Sequence, residues 1–484
     1  MMRSDLAARS DLGLLQFSFN YALIFHMAEK SSETLMEKIV SLCKRRGFVF
    51  PSSEIYGGFA ATYDFGPLGF LLKKNIEKVW RRWNVEGRED MVEIEGAIFM
   101  HPRVWEASGH VGGFADLLVE DLVTHKRYRA DHVIEDAKIM DNAGALKAEE
   151  ADTIIKDNKL KSPDGNPLSP AKRFNLLVKT HLGPIEDDTT VVYLKGESCQ
   201  NIYVDWKPVL ESTHRKLPFG IAQIGKAFRN EITVKNFIFR TREFEQMDIQ
   251  YFCRPEEADQ WYEYWKKNRQ DFYTEAMGFS PARVKWRQHD PDERAFYAKD
   301  AWDVQYQFGE IGFQEIEGVH HRGNYDLTQH QKFSGTDLSY FDEATGERFL
   351  PYIVECSGGF NRLFLATLFE FYREDGDRKM LSFPPKLAPY KAAVFPLLKN
   401  KPELVEKAKN VYENLRKKYM IAWDDRGNIG KRYYAQDEIG TPYCITIDFD
   451  TLEHGDVTVR DRDTAKQERV KIEDLEKFIA EKLE

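Results

Sequence analysis

Hydrophobic residues recur at helical spacing in two stretches near the start of the chain. In the first stretch, residues 32–46, they stand at Leu35, Ile39, Val40 and Leu42. A longer stripe begins after Pro67 and consists of Leu68, Leu71, Leu72, Ile76, Val79, Trp80 and Trp83. This spacing predicts two amphipathic helices, and a proline is well tolerated in the first turn of a helix. The second helix is interpreted first as packing on the core of its own chain, and alternatively on a partner subunit.

Between residues 221 and 252 the pattern changes to alternation. It predicts two extended segments, 221–232 and 237–252, joined by a polar turn at 233–236. Because alternate side chains of a strand share a face, Met247, Ile249 and Tyr251 can enter a core. The opposite face of the second segment carries Arg240, Arg242, Phe244, Gln246, Asp248 and Gln250.

Antiparallel strands often have one solvated face, but Phe244 is unusual in the middle of a charged row. Arginine binds phosphate through paired N–H groups, and an aromatic ring stacks on a base or attracts a cation. The row therefore suits a ligand with phosphates, a flat ring and an ammonium group.

The last third of the chain divides at a proline-rich linker. Before it, residues 351–372 read as a strand, a turn at Gly358 and Gly359, and a helix with Arg362 in its first turn. The two glycines allow unusual backbone dihedral angles. After prolines at 384, 385 and 389, short strands alternate with helices, which predicts a small α/β domain. Its most prominent basic residues are Lys431 and Arg432.

Composition narrows the possible classes of protein. The 484 residues predict two or three domains, and the net charge of −10 does not indicate a general nucleic-acid binder. The five cysteines form no CxxC pair, so we expect no structural zinc, no disulfide framework and a reducing, cytoplasmic location. The apolar run at 12–27 is interrupted by polar residues and predicts no membrane helix. Residues 1–27 are interpreted as a non-native or disordered extension.

Three motifs resemble those of the class II aminoacyl-tRNA synthetases. The sequences Phe228-Arg229-Asn230-Glu231 and Arg240-x-x-x-Phe244 resemble motif 2. An extended segment ending at Pro102 resembles motif 1, and the glycine turn with Arg362 resembles motif 3. The longer strings HPRVWEASGH and RTREFEQMD resemble glycyl-tRNA synthetases in particular.

The resemblance implies an α+β catalytic domain with a mainly antiparallel sheet flanked by helices, and a C-terminal α/β anticodon-binding domain. The implied boundaries are 28–386 for the catalytic core, with an insertion at about 110–190, and 387–484 for the second domain. It further implies a cytosolic homodimer that acts on ATP, glycine and tRNA(Gly).

Particular residues receive roles from this resemblance. Arg229 and Arg362 would be catalytic, Phe244 would stack on adenine, and Glu315 would help to hold the Mg²⁺ that accompanies ATP. The implied ATP-binding residues are Arg229, Asn230, Glu231, Phe239, Arg240, Thr241, Arg242, Glu243, Phe244, Glu315, Ile316, Gly359, Phe360, Asn361 and Arg362. The implied glycine-binding residues are Arg129, Glu197, Phe244, Glu245, Gln246, Met247, Asp248, Glu355, Cys356, Ser357, Gly358 and Gly359.

The chain departs from the family pattern around Glu197. Lys195 and Gly196 stand where the family has arginine and proline, Asp248 replaces the usual glutamate, and Asn361 replaces an acidic residue. Lysine has a flexible stem and glycine a flexible backbone. We therefore expect a weakened glycine site beside an ordinary ATP site.

Two other functions remain open. One is a non-catalytic, synthetase-like nucleic-acid-binding subunit, which would be expected to lose the arginines that bind phosphate. The other is a class IIa synthetase for another small amino acid, against which only the two glycyl-type strings argue.

Overall fold

A computed structural model describes residues 33–140, 143–187, 189–232, 236–291, 294 and 298–483. The extension predicted for residues 1–27 lies outside the described residues, as do residues 233–235 of the predicted turn.

A seven-stranded sheet, here called the central sheet, organises the catalytic part of the chain. In spatial order its strands are Val284–Gln288, Asp300–Gln307, Phe313–Gly323, Tyr352–Gly359, Glu243–Cys253, Phe219–Phe228 and Met91–Glu93. The last two strands pair in parallel, and all other neighbours pair antiparallel. The predicted mainly antiparallel sheet is confirmed.

The strand Glu243–Cys253, here called the central strand, is shorter than predicted. The prediction that it begins at Phe237 is wrong: Phe237–Phe239 forms a single 3₁₀ turn, and the last pair of the hairpin is Phe228 with Glu243. Asn236 and Phe237 both have positive φ, near +60°, so the backbone turns there instead of extending. Arg240 and Arg242 therefore precede the strand.

Helices cover both faces of the central sheet. On one face Met247, Ile249 and Tyr251 enter the main hydrophobic core, as the alternation predicted. The helices that supply the rest of this core are Leu35–Arg46, Pro67–Arg81, Ala258–Asp271 and Phe360–Phe371. The opposite face packs Phe252 against Trp206, with ring centroids 4.2 Å apart. The helices on that side are Cys199–Val204, Trp206–Thr213 and Tyr325–Ser334.

The region that resembles motif 1 is only partly as predicted. The helix after Pro67 is present, but Pro102 begins the helix Pro102–Ala107 instead of ending a strand. The side chain of His101 accepts a hydrogen bond from the Arg103 N–H and caps this helix, while proline occupies a first-turn position where no N–H is needed. The strand before it, Phe99–Met100, has only two residues.

The predicted insertion folds around a small core of its own, centred on Val119, Ile134 and Ile155. Its helices are His110–Gly113, Ala130–Asp136 and Ala148–Asp157, and its strands Ala115–Glu120, Arg127–Arg129 and Lys172–Asn175 form one small sheet. A second small sheet places Val191–Leu194, just after the insertion, between Phe99–Met100 and Lys179–His181. Three short hairpins elsewhere pair Val49–Pro51 with Tyr63–Phe65, Tyr340–Asp342 with Glu347–Phe349, and Tyr372–Asp375 with Arg378–Leu381.

The C-terminal region is the predicted α/β domain. Its five strands, in spatial order, are Ile421–Trp423, Ala392–Pro396, Tyr443–Ile447, Asp456–Asp461 and Gln467–Lys471. Its helices are Pro402–Leu415, Ile429–Ile439, Phe449–His454 and Leu475–Leu483. Of the two basic residues singled out in the sequence, Lys431 is exposed. Arg432 is buried and donates hydrogen bonds to three backbone carbonyls, so it supports the fold instead.

Ion pairs connect the two domains. The carboxylate of Glu438 contacts Arg45 and Arg46 of the first described helix, and Arg378 contacts Asp437 at 2.8 Å. Within the described ranges, no helix is both long and apolar enough to span a lipid bilayer.

A buried ion pair ties the helix Ala258–Asp271 to the central sheet, and it gives a stability prediction. Arg269 and Glu317 contact each other at 2.9 Å with side chains 0% and 1% exposed. Glu317→Ala leaves the guanidinium buried without its carboxylate, so we expect the free energy of unfolding to fall by about 3–5 kcal/mol. Urea unfolding followed by tryptophan fluorescence measures the loss.

The matched control is Asp337→Ala, which breaks the exposed pair between Asp337 and Arg348. It should change the free energy of unfolding by less than about 1 kcal/mol. Equal effects of the two substitutions would contradict the importance assigned to the buried pair.

Candidate active site

A cavity of about 250 Å³ opens on the polar side of the central strand. Fifteen of the residues implied by the family resemblance line it: Glu197, Arg229, Glu231, Phe239, Arg240, Thr241, Phe244, Glu245, Gln246, Glu315, Glu355, Ser357, Gly359, Asn361 and Arg362. These residues come from widely separated parts of the sequence, so the fold brings together most of the predicted site.

Three arginines form the cationic end of the cavity. The Arg229 Nε donates to the carbonyl of Gly196 at 3.0 Å, and its guanidinium lies about 5 Å from the rings of Phe114 and Phe244. Burial and the nearby cations lower the pKa of Arg240 from its usual value. Since these guanidinium groups are held in place around a cavity, they can receive an anion with little rearrangement.

The third arginine, Arg362, stands in the first turn of the helix Phe360–Phe371. It donates to the backbone carbonyl and to the carboxylate of Glu315, at 2.9 and 3.0 Å, and its guanidinium lies 4.5 Å from the centre of the Phe239 ring. Gly359, which precedes the helix, has φ −76°, so the unusual dihedral angle predicted there is absent. A side chain at Gly358 would come within 3.2 Å of the Met247 side chain, so this position is closely packed.

Glu315 is the carboxylate that pairs with Arg362. Burial on its own would raise its pKa, but the guanidinium of Arg362 outweighs burial and lowers it, so the group is ionised at neutral pH. A single ionised carboxylate on a cavity wall fits a Mg²⁺ ion that arrives with a nucleotide. No cluster of three or more His, Cys, Asp or Glu side chains suitable for a resident metal exists among the residues that the structure describes.

Three carboxyl groups lie together at the acidic end. Glu197 and Glu355 line the cavity, whereas the predicted residue Asp248 is fully buried and falls outside the cavity lining. Glu355 is saturated with donors, since Arg322, His320 and Gln250 contact its oxygens at 2.8, 2.7 and 2.9 Å. Burial alone would raise its pKa, but Arg322 and His320 lower it to about 2.

Asp248 is equally buried and has far fewer partners. The Ser198 hydroxyl donates to its Oδ2, whereas Oδ1 is buried with no hydrogen-bond partner in the structure. Burial is the main reason that the pKa of Asp248 rises to about 7, against the opposing hydrogen bonds of Ser198 and Ser357. An unpartnered buried carboxyl oxygen is costly unless a ligand binds it.

Several predicted residues present no side chain to the cavity. Met247, Ile316, Cys356 and Phe360 lie in the hydrophobic core, so only their backbone atoms could contact a ligand. Asn230, Arg242, Glu243 and Gly358 also fall outside the cavity lining, and Glu243 pairs with Lys226 at 2.6 Å. Glu245 lines the cavity but is paired with Lys73.

Arg129 lies in the insertion and not on the cavity wall. It is paired with Asp116 at 2.9 Å and with Asp131 at 2.5 Å. Its charge nevertheless reaches the site, because it contributes to the lowered pKa of Arg240.

Two of the departures from the family pattern, Lys195 and Gly196, occupy closely packed positions, while the expected weakening of the glycine site stays a prediction. Lys195 is 1% exposed, and its ammonium donates to the Gly96 carbonyl and to the Asn201 side chain, both at 3.1 Å. Its stem is therefore fixed by burial. At Gly196 a side chain would come within 2.8 Å of Leu177, so the backbone there is closely packed.

The sequence did not reveal four cavity residues, namely Cys199, Gly318, His320 and Arg322. Gly318, His320 and Arg322 alternate along the strand Phe313–Gly323, so they share one face of it. This alternation in the sequence could have identified them as neighbours of the cavity. His320 contacts Glu355 whereas the buried His321 lies beside Tyr262, as the opposite faces of adjacent strand residues require.

Comparison with known proteins agrees with this geometry. Residues 184–371 match the family described as tRNA synthetase class II core domain (G, H, P, S and T), and residues 391–482 match the family described as anticodon binding domain. A glycine–tRNA ligase of Borreliella burgdorferi is 48% identical over 451 residues, covering 92% of this chain and 96% of that protein. Those of Chlorobaculum tepidum and Streptomyces coelicolor are each 46% identical, covering 93% of this chain and 100% and 98% of those proteins.

The match extends over more than nine-tenths of the chain and includes the strands and helices that form the cavity. The chain therefore belongs to the glycine–tRNA ligase family of class II aminoacyl-tRNA synthetases.

Proposed function

We propose that the protein attaches glycine to tRNA(Gly) in two steps. The carboxylate of glycine attacks the α-phosphate of ATP and releases pyrophosphate, and the terminal ribose of tRNA then takes up the glycyl group. The observation that carries the proposal is the division of one cavity into a cationic end and an acidic end. A nucleoside triphosphate brings anionic phosphates that suit the cationic end, and an amino acid brings an ammonium group that suits the acidic end.

At the cationic end Arg229 binds the α-phosphate, and Arg240 and Arg362 bind the γ-phosphate. Phe244 stacks on adenine. Glu315 would hold the Mg²⁺ that accompanies ATP, and the ion would further neutralise the phosphate charge. The protein contributes position and charge rather than covalent chemistry. The contacts of Arg229 with Gly196, Phe114 and Phe244 support this assignment, because they fix the guanidinium before the nucleotide arrives.

At the acidic end Glu197 and Asp248 bind the ammonium group of glycine. The Gln246 amide lies 3.5 Å from the Ser357 hydroxyl, and these two side chains form the wall that excludes larger amino acids. Size exclusion is necessary because a pocket gains almost nothing from contacting a hydrogen atom as side chain. Glu355 also lines the cavity, and its bonds to Gln250, His320 and Arg322 hold it in place.

The C-terminal domain binds tRNA(Gly), and the exposed Lys431 and Tyr434 on one helix are suitable for phosphate and base contacts. The protein works in the cytoplasm as a homodimer. Both rival functions are weakened: a non-catalytic subunit would not need the three cavity arginines, and the relatives that span the whole chain are glycine–tRNA ligases.

The deciding experiment is ATP–pyrophosphate exchange with each of the twenty amino acids. We expect exchange with glycine alone. Exchange with another amino acid would favour the second rival, and no exchange with any would favour the first.

Arg229→Ala should lower the rate of glycine-dependent exchange by about 100- to 1000-fold, because one charge-stabilising group is typically worth about 2.7–4 kcal/mol in the barrier. Binding of tRNA(Gly), measured by filter retention, should change little. Arg348→Ala, at an exposed site, is the matched control and should exchange normally. Near-normal exchange by the Arg229 variant would rule out its assigned role.

The KM for glycine should depend on pH through Asp248. The raised pKa of about 7 means that the carboxyl is protonated below pH 7 and cannot pair with an ammonium group. The KM for glycine should therefore rise as the pH falls below 7, approaching tenfold per pH unit, while the KM for ATP stays nearly constant.

Exchange kinetics between pH 5.5 and 8.5 test this expectation. In Asp248→Asn the KM for glycine should be high at every pH, since the titrating group is gone. A glycine KM in the unmodified protein that does not vary with pH would contradict the assignment of Asp248.

A dimer should form through the N-terminal part of the catalytic domain. Ile55 and Tyr56 are 88% and 87% exposed, and Phe59 and Phe70 are more than half exposed. Exposed apolar groups of this size mark an interaction surface. Sedimentation at micromolar concentration should show a dimer, and Ile55→Glu with Tyr56→Glu should shift it toward monomer. Tyr434→Glu, in the C-terminal domain, should remain dimeric; an active monomeric wild type would refute the interface.

A further inference from the structure

A histidine next to the acidic end has no role in the scheme above. His110 is 9% exposed, and its ring lies between those of Trp105 and Phe114, with centroid distances of 5.3 and 5.0 Å. Its Nδ1 lies 2.8 Å from the Ser108 hydroxyl, and its Nε2 lies 3.3 Å from Oε2 of Glu197. Packing against Trp105 and Phe114 thus holds the imidazole ring with its Nε2 next to the Glu197 carboxylate.

The direction of these contacts follows from the chemistry of the partners. An ionised carboxylate only accepts hydrogen bonds, so Nε2 of His110 must carry the proton. Ser108 can supply the partner that Nδ1 needs, either by donating its hydroxyl or by accepting an N–H. Ser108 therefore supports the ring orientation that places an N–H on Glu197.

The second oxygen of Glu197 is held in the same way from another element. The Gln200 amide donates to Oε1 at 2.8 Å, and its own carbonyl is held by Nε2 of His330 at 2.8 Å. Each carboxylate oxygen thus has one donor from the protein and at least one lone pair left for a ligand.

We propose that His110 is a positioning residue, which orients Glu197 and keeps it ready for the ammonium group of glycine. The inference rests on the proposed function, since it concerns the same amino-acid pocket. Electrostatics support it: burial alone would raise the pKa of Glu197, yet His110 is the leading influence that holds this pKa well below its usual value, followed by Arg322 and Gln200. Glu197 in turn raises the pKa values of the neighbouring carboxyl groups of Asp248 and Glu355, because the three groups lie close together.

The test separates loss of the N–H group from loss of packing. His110→Phe keeps an aromatic ring between Trp105 and Phe114 but removes both nitrogens. Because a hydrogen bond to a charged group is typically worth about 1.5–3 kcal/mol, the KM for glycine in ATP–pyrophosphate exchange should rise about 10- to 100-fold. The KM for ATP should stay within about twofold, since the cationic end is untouched.

His110→Gln restores a donor near the Nε2 position and should recover most of the lost glycine affinity. Ser108→Ala, which leaves the imidazole in place, should raise the KM for glycine by a smaller factor. His454→Phe, at an exposed histidine of the C-terminal domain, is the matched control and should leave both KM values unchanged.

The outcomes are distinguishable. An unchanged glycine KM in His110→Phe beside an active wild type would overturn the positioning role alone. Equal losses in His110→Phe and His110→Gln, affecting both KM values, would show a purely structural role and would also overturn it. If the wild type shows no glycine-dependent exchange at all, the proposed function fails, and this inference fails with it.

Discussion

The site depends on the alternation of side chains along one doubly paired strand. The central strand, Glu243–Cys253, is hydrogen-bonded on both sides, so that Asp248 lies opposite Gln223 on one neighbour and Ser357 on the other. Its apolar residues fill the main core, and Phe244, Gln246 and Asp248 face the other side. A shift of one residue in either pairing would exchange the two faces. Register and core packing therefore enforce each other, and the polar face is fixed as a result.

Asp248 on the central strand and Glu355 on the neighbouring strand are both buried, but different hydrogen-bond and charge partners give their carboxyl groups different pKa values. Burial alone would raise the pKa of both Glu355 and Asp248. Glu355 has a guanidinium, an imidazole and an amide around it, and its pKa falls to about 2. Asp248 has hydroxyl partners and no cation bonded to it, and its pKa rises to about 7. A buried carboxylate whose oxygens all have donors from the protein stabilises the fold. One with an oxygen that lacks a donor is instead suited to bind a cationic ligand.

The sequence was sufficient for the features that depend on local periodicity. It predicted the two helices, the core face of the central strand and the α/β character of the C-terminal domain, whereas the mainly antiparallel sheet was implied by the family resemblance. It also predicted most of the residues around the cavity, because the motif strings carry those positions together. The start of the central strand was missed because positive φ angles at Asn236 and Phe237 depend on the turn geometry, which alternation does not encode.

Features that depend on contacts between distant segments could not be predicted. The bonds of Glu355 to Arg322 and His320 join two strands that are separated by a helix and a hairpin in the chain. Arg432 looks like a basic surface residue in the sequence, but it is buried and donates hydrogen bonds to the carbonyls of Arg426 and Gly427 in one loop and of Pro396 at the end of a strand. In the same way, the residue type of Lys195 suggests a flexible side chain, but burial and two hydrogen-bond acceptors fix it.

The placement of Lys195 explains how Asp248 can remain unpaired. The two groups are close enough for the carboxylate to influence the pKa of the lysine, which burial lowers, yet no ion pair joins them. The ammonium is instead held by the Gly96 carbonyl and the Asn201 side chain. If Lys195 were released from these two acceptors, its flexible stem would allow its ammonium group to reach Asp248, where the ammonium of glycine is proposed to bind. Two neutral acceptors thus hold the buried ammonium of Lys195 near the buried carboxyl of Asp248 without an ion pair between them, and under the proposed function this leaves the carboxyl for the ammonium group of glycine.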